Sequence, residues 1–283
     1  MTSLTELKEE QEQIWNGPMG KIWVENQDFI DGMIYPFEKF LVDKVVSLSP
    51  KNILDVGCGN GATSIAMARA IKPNGQCTGI DLSRSMIDNA LSHLNSSDEN
   101  VTFLCGDASD YAFDNTKFDV LTSRFGVMFF ADPVAAFTNL RNAADNRAQL
   151  AILVWRGPEE NEFMMAAKHA ATPHLPELLP KEPTSPGPFS LAYPNHVHTI
   201  LTKSGWTEIN LEPIDLQCRF RSNDLDMFLT KLAPIGHDLE TLEENIREKV
   251  STAVRAAYEK FLDGTEVKFI ASCWMISALV NEV

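Results

Sequence analysis

Ile53 to Gly61 reads ILDVGCGNG, and this stretch decides the fold. It joins an apolar strand, an acid at Asp55 and three glycines, Gly57, Gly59 and Gly61. Further along, a second apolar strand ends in Gly79-Ile80-Asp81. A third, Val101 to Cys105, ends in Gly106-Asp107-Ala108. In an open parallel sheet the carboxyl ends of the strands share one crevice, and ligands bind there.

The residue types set the chemistry of that crevice. Glycines remove side chains where backbone must approach a ligand. A helix beginning near Ala62 points its free N–H groups into the same space. Asp81 suits a ribose, because a carboxylate accepts from vicinal hydroxyls. Asp107 can accept from the exocyclic amine of adenine. The expected ligand is a nucleoside with a short polar tail. Two classes fit: a dinucleotide, whose glycines are usually spaced G-x-G-x-x-G, and a smaller adenosine derivative. Here the spacing is G-x-G-x-G after an acid.

The order ILDVGCGNG, then GIDLS, then GDA closely resembles the class I S-adenosylmethionine-dependent methyltransferases, over roughly Lys51 to Arg156. That resemblance implies S-adenosyl-L-methionine as cofactor. It also implies an α/β, Rossmann-like, doubly wound sheet of seven mostly parallel strands, with the last strand antiparallel between the fifth and sixth. It assigns Gly57, Gly59 and Gly61 to the methionine tail, with Asp55 orienting the loop. Asp81 takes the ribose, Asp107 and Ala108 the adenine, and Leu82 and Met86 pack on it. Ser123 and Arg124, at the fourth strand end, border cofactor and acceptor. A narrower likeness lies in SRFGVMFFADPVAAFTNLRNA (Ser123 to Ala143), WNGPMGKIWVENQ and PGPFSLAYP, which are similar to the ubiquinone/menaquinone-biosynthesis type. Two departures stand out. Asp145-Asn146-Arg147-Ala148 replaces the usual Pro-Gly-Gly turn, and Arg124-Phe125-Gly126 stands where many relatives carry a histidine pair.

Outward from this core the chain divides into three parts. Residues 1–50 read as a helical cap, in which Pro36 starts a helix that Pro50 closes. Residues 51–156 form the cofactor-binding core: strands at 53–56, 77–81, 101–105, 118–123 and 150–155 alternate with helices. Alternation of this kind implies a parallel sheet covered on both faces. Residues 157–283 supply the rest of the sheet and helical insertions near the C-terminus. They contain a Pro-rich loop (173–194), a sixth strand near 208–219, two helices broken near Pro234-Ile235-Gly236, and a last strand over 267–280. One compact catalytic unit is expected.

Composition narrows the partners. The formal net charge is −15, which repels nucleic-acid phosphates and disfavours RNA or DNA as acceptor. The five cysteines form no C-x-x-C pair, so neither a zinc site nor a disulfide framework is expected, and a cytoplasmic setting follows. No metal ligand set is apparent. The N-terminal MTSLTELKEEQEQ lacks the apolar core of a signal peptide. No apolar run approaches a membrane span. A homodimer is compatible with the sequence.

Methyl transfer from a sulfonium is an in-line displacement, so positioning does much of the work. A base is needed only where the acceptor loses a proton. His169 and His174, just after the fifth strand, are the nearest candidates in sequence. Trp15, Trp23, Phe29, Tyr35, Phe129, Phe163, Met164, Met165 and Phe189 flank the core and favour a small, apolar or aromatic acceptor methylated at O, C or N. The cap is expected to border that acceptor. Three rivals remain: a cofactor-binding protein that performs a non-methylating reaction such as cyclisation, an NAD-dependent oxidoreductase, and a non-catalytic partner protein.

Overall fold

The computed structural model describes residues 3–114, 116–175, 184–233 and 242–281. The break expected near Pro234-Ile235-Gly236 lies outside these residues, as does part of the 173–194 loop.

Three helices lead: α1 (Leu4–Asn16), α2 (Pro18–Glu25) and α3 (Gln27–Ser47). Helix α1 begins in a capping box, in which Ser3 and Glu6 satisfy each other's backbone N–H groups. Pro36 does not start a helix; it lies inside α3. Its ring should clash with the carbonyl four residues back. That residue is Gly32, exposed and unencumbered by neighbours. The buried stripe of Ile30, Ile34, Phe37, Leu41 and Val45 carries the helix past the interruption.

The core then alternates as expected: β1 (Asn52–Val56), α4 (Ala62–Ala70), β2 (Gln76–Asp81), α5 (Arg84–Ser92), β3 (Val101–Cys105), β4 (Phe118–Arg124), α6 (Pro133–Ala143) and β5 (Ala144–Trp155). Ser83 caps α5 and Asp132 caps α6, each accepting from a first-turn N–H. The anticipated turn at 145–148 is instead an excursion within β5. Its pairing with β4 jumps from Phe118↔Ala144 to Val120↔Gln149. Arg147 there sits at φ 63°.

Beyond β5 come α7 (Glu162–Ala171), α8 (Pro194–Lys203) and β6 (Thr207–Arg221). A short helical stretch (Leu225–Met227) widens through Phe228–Leu232. Helix α9 (Glu244–Tyr258), the two-residue β7 (Leu262–Asp263) and β8 (Glu266–Leu279) complete the chain. The sheet runs β3-β2-β1-β4-β5-β8-β6, with β7 paired to β8. Strands β1 to β5 are parallel, and β8 lies antiparallel between β5 and β6. This is the Rossmann-like, doubly wound order expected, and its reversal beside β1 sets the crevice over the ends of β1, β2 and β4. Among the described residues no helix is long and apolar enough to cross a membrane.

Candidate active site

The loop after β1 is held from below by main chain. Gly57 and Cys58 N–H both donate to the Ile80 carbonyl of β2, at 2.8 and 3.1 Å. Its three glycines serve different ends. A side chain at Gly57 would strike Gly126 backbone at 2.6 Å, so the residue lets the loop after β4 lie against it. A side chain at Gly61 would strike Phe103 and Ala90, at 2.6 and 2.8 Å, so it lets α4 settle on β3 and α5. Only Gly59 faces open room: its φ is +54° and the nearest atom to an added Cβ is Met86 Sδ at 3.7 Å. Gly61 is also the N-cap of α4, and no side chain caps that helix. Its first-turn N–H groups are therefore available to a ligand.

Asp81 ties this loop to the next. Its Oδ2 accepts from Gly59 N–H and its Oδ1 from Ser83 N–H, both at 2.8 Å. Each oxygen keeps a further lone pair for a ligand hydroxyl. Burial raises its pKa above the ordinary carboxylate value, against the pull of those two N–H donors. Asp107 accepts from Ser109 N–H at 2.8 Å. Ala108 beside it is buried, and its carbonyl accepts from Asn139. Leu82 is half-buried and gives its carbonyl to Asn16 at 3.3 Å.

Asp55 is 1% exposed. It accepts from Ser64 Oγ of α4 at 2.6 Å, which fixes the helix behind the glycine loop. Burial pushes its pKa up to about 6, the Ser64 hydrogen bond and Arg124 pulling the other way. Among the described residues no group of side chains has the composition of a metal site.

Two further site candidates are buried. Ser123 is fully buried, and its hydroxyl donates to Val56 O at 2.7 Å while receiving Gly126 and Val127 N–H. It clamps β4 to β1. Met86 is likewise buried, with its Sδ 3.7 Å from where a Cβ on Gly59 would stand.

Arg124 turns to the face covered by α3. Its guanidinium meets Asp31 at 3.1 Å and Glu38 at 4.0 Å. Its Nη1 is buried without a hydrogen-bond partner. Glu38 has a raised pKa because it is desolvated, with Arg124 opposing the shift. Neither acid was anticipated. The available signal was their spacing: residues seven apart share a helix face, and a half-buried arginine at a strand end needs a counter-charge.

The acceptor side is aromatic. Phe125 stacks on Trp155 with centroids 4.0 Å apart, and Phe37 meets both edge-on. Trp15 stands against Phe129 at 4.9 Å and Trp23 at 6.1 Å. Some candidate linings fall elsewhere. Tyr35 is exposed. Phe163 is buried in a cluster with Phe220, Phe228, Tyr258 and Phe269. His169 and His174 are both exposed, His169 on the face of α7 opposite its buried residues. Among the described residues no hydrogen bond ties either imidazole to the strand-end loops.

The comparisons agree with this geometry. Residues 53–146 match the family model described as a methyltransferase domain. The chain is 31% identical over 127 residues to the ubiquinone biosynthesis O-methyltransferase of Coxiella burnetii, covering 45% of this chain and 50% of that protein. It is 37% identical over 87 residues to the demethylmenaquinone methyltransferase of Staphylococcus aureus, covering 31% of this chain and 36% of that protein. The chain thus matches half or less of the length of these curated relatives. The fold is shared with the YcgJ protein of Bacillus subtilis, at a TM-score of 0.56 and 15% identity, over 87% of this chain and 100% of that one. The stretch from β1 into β5 is therefore similar to a methyltransferase domain. Its resemblance is to the quinone-biosynthesis type.

Proposed function

We propose that the protein is an S-adenosylmethionine-dependent methyltransferase acting on a small, largely apolar or aromatic molecule. One observation carries the cofactor reading. Asp81 is pinned by Gly59 and Ser83 N–H groups, so that one carboxylate orients both the loop beside the methionine tail and the lone pairs offered to the ribose. The residues fit the group. Gly59 leaves room for it, the uncapped start of α4 offers N–H donors to its polar tail, and Asp107 keeps its Oδ2 as an acceptor that suits an adenine amine.

The bound cofactor supplies an activated methyl group. The chain contributes position: the glycine loop and Asp81 hold the tail and ribose, and the aromatic wall of Phe129, Trp15 and Trp23 excludes water beside the β4 tip. Such alignment can supply much of a displacement's rate enhancement. Exclusion of water also protects a reactive sulfonium from hydrolysis. The atom methylated is O, C or N; the quinone-modifying relatives support an aromatic ring bearing oxygen. The charge of −15 supports the absence of a nucleic-acid partner, and the five scattered cysteines support a cytoplasmic role.

The test is twofold. Calorimetry with S-adenosylhomocysteine should give saturable one-site binding, while NAD gives none. Incubation with S-adenosylmethionine and a panel of hydroxylated aromatics should release S-adenosylhomocysteine with at least one of them. Tight NAD binding in place of S-adenosylhomocysteine would overturn the reading. Product formation from a substrate without S-adenosylhomocysteine release would assign a non-methylating reaction instead.

A further inference from the structure

Helix α1 lies across the strand-end loops, and its contacts go to the adenine side of the crevice. Lys8 Nζ reaches Asp110 at 2.7 Å and Asp107 at 3.7 Å in the loop after β3. Two turns on, Asn16 brackets the loop after β2: its amide donates to Leu82 O at 3.3 Å, and its carbonyl accepts from Arg84 N–H at 3.0 Å. Trp15 then meets Phe129 beyond β4. Where α2 begins its course, Gly20 lies so close to α5 that an added Cβ would stand 3.1 Å from Ser83 Oγ. One helix therefore touches the loops that follow β3, β2 and β4.

We propose that Lys8 is a cofactor-retention residue, latching α1 over the adenine end of the crevice through Asp110 and Asp107. This rests on the proposed function, because the ligand it retains is the one that reading places there. The geometry makes the latch exchangeable. Asp107 Oδ1 is committed to Ser109 N–H. Its Oδ2, 3.7 Å from Lys8, is the oxygen left to meet an adenine amine. Lys8 holds Asp110 at full hydrogen-bond distance, so Asp107 Oδ2 can serve the bound amine while Asp110 keeps the helix latched over it. Cofactor entry and exit then require the α1 contacts to open together. A structural ion pair alone would stabilise the helix without reporting on cofactor departure.

The readout is the dissociation rate of S-adenosylhomocysteine from the full-length chain, measured by stopped-flow displacement at low and high salt. Lys8→Met should accelerate dissociation about two- to fivefold, the scale of a partly exposed ion pair. Lys8→Glu, facing two carboxylates, should exceed Lys8→Met, whereas Lys8→Arg should stay near wild type. Wild-type dissociation should quicken with salt as the latch is screened, and Lys8→Met should lose that dependence. Lys8→Met combined with Asp110→Asn should be no faster than the faster single variant. A Lys8→Glu rate equal to wild type, or an unaltered salt slope in Lys8→Met, overturns the latch. Wild-type protein that fails to bind S-adenosylhomocysteine at all overturns the functional reading itself, so the two failures are distinct.

Discussion

The two halves of the crevice are built by different means. On the cofactor side, over β1, β2 and β3, strands that follow one another in sequence lie side by side, and short loops are satisfied by nearby main chain: Gly57 and Cys58 to Ile80, Gly59 and Ser83 to Asp81. On the acceptor side, over β4 and β5, the parts come from far apart. Asp31 and Glu38 of α3 reach Arg124, and Phe37 reaches Phe125 and Trp155. The first half is a local device that tolerates little change. The second is a packing arrangement whose side chains can vary while the scaffold persists, and this is how one cofactor site serves many acceptors.

The sharpest way to separate the halves is Gly59→Val. A β-branched residue at φ +54° is a severe misfit. Strain of ~1–3 kcal/mol combined with blocked backbone approach should weaken S-adenosylhomocysteine binding by roughly a hundredfold. Circular dichroism should show the fold retained. Undiminished calorimetric affinity would place the ligand elsewhere.

Asp81→Ala comes next. Loss of charged hydrogen bonds, ~1.5–3 kcal/mol each, should weaken binding tenfold or more. Asp81→Asn should recover little of this, because its NH₂ end cannot accept from both Gly59 and Ser83. An Asp81→Ala dissociation constant within twofold of wild type would break the cofactor half of the comparison.

Asp55 tests the boundary between them through pH. Its pKa in the fold, about 6, exceeds the ordinary 3.8, so between these values the native state binds more protons than the unfolded chain. The associated stability is fully present below the ordinary pKa and is lost as pH rises through about 6, a difference of roughly 3 kcal/mol. Asp81 and Glu38, also raised by burial, act with the same sign. Asp55→Asn should therefore gain stability relative to wild type as pH rises from 4 to 7 in urea titrations. A constant offset across that range would show that Asp55 does not titrate there.

On the acceptor half, Asp31→Asn should raise the acceptor KM about two- to fivefold, in keeping with an ion pair of ~0.5–1 kcal/mol, and leave the S-adenosylhomocysteine dissociation constant unchanged. Loss of cofactor affinity instead would mean that Arg124 serves the cofactor side. The smallest effect is expected from the exposed imidazoles: His169→Ala with His174→Ala should keep turnover within about twofold across pH 6 to 9. A hundredfold fall with an altered acidic limb, the size of general-base loss, would restore histidine catalysis.

The same division explains what could be read from the sequence. The β1 loop, Asp81 and Asp107 were legible because glycine spacing and strand-end acids are short-range signals. The order of strands followed from alternation, including β8 between β5 and β6 through the family resemblance. Pro36 misled because a local helix breaker can be overridden by burial, here of Ile30, Ile34, Phe37, Leu41 and Val45 along one face of α3. Ser123 misled because a polar residue at a strand end has two possible duties, and only the geometry shows its hydroxyl spent on Val56, Gly126 and Val127. The cap was expected to border the acceptor. Lys8 and Asn16 also tie its first helix to the loops after β3 and β2, a pairing across the chain that periodicity cannot reveal.

The position of β8 also bears on how the protein is made. β5 and β6 both pair with a strand that is synthesised after them, so each leaves the ribosome with an open edge. Until Glu266–Leu279 arrives, β6 has no partner at all in the sheet, and its alternating Ile209, Leu211, Ile214 and Leu216 await cover. Such edges invite pairing with other chains. Nascent protein stalled before β8 should engage chaperones, and a stop codon placed there should yield insoluble material even though every residue of the glycine loop is present.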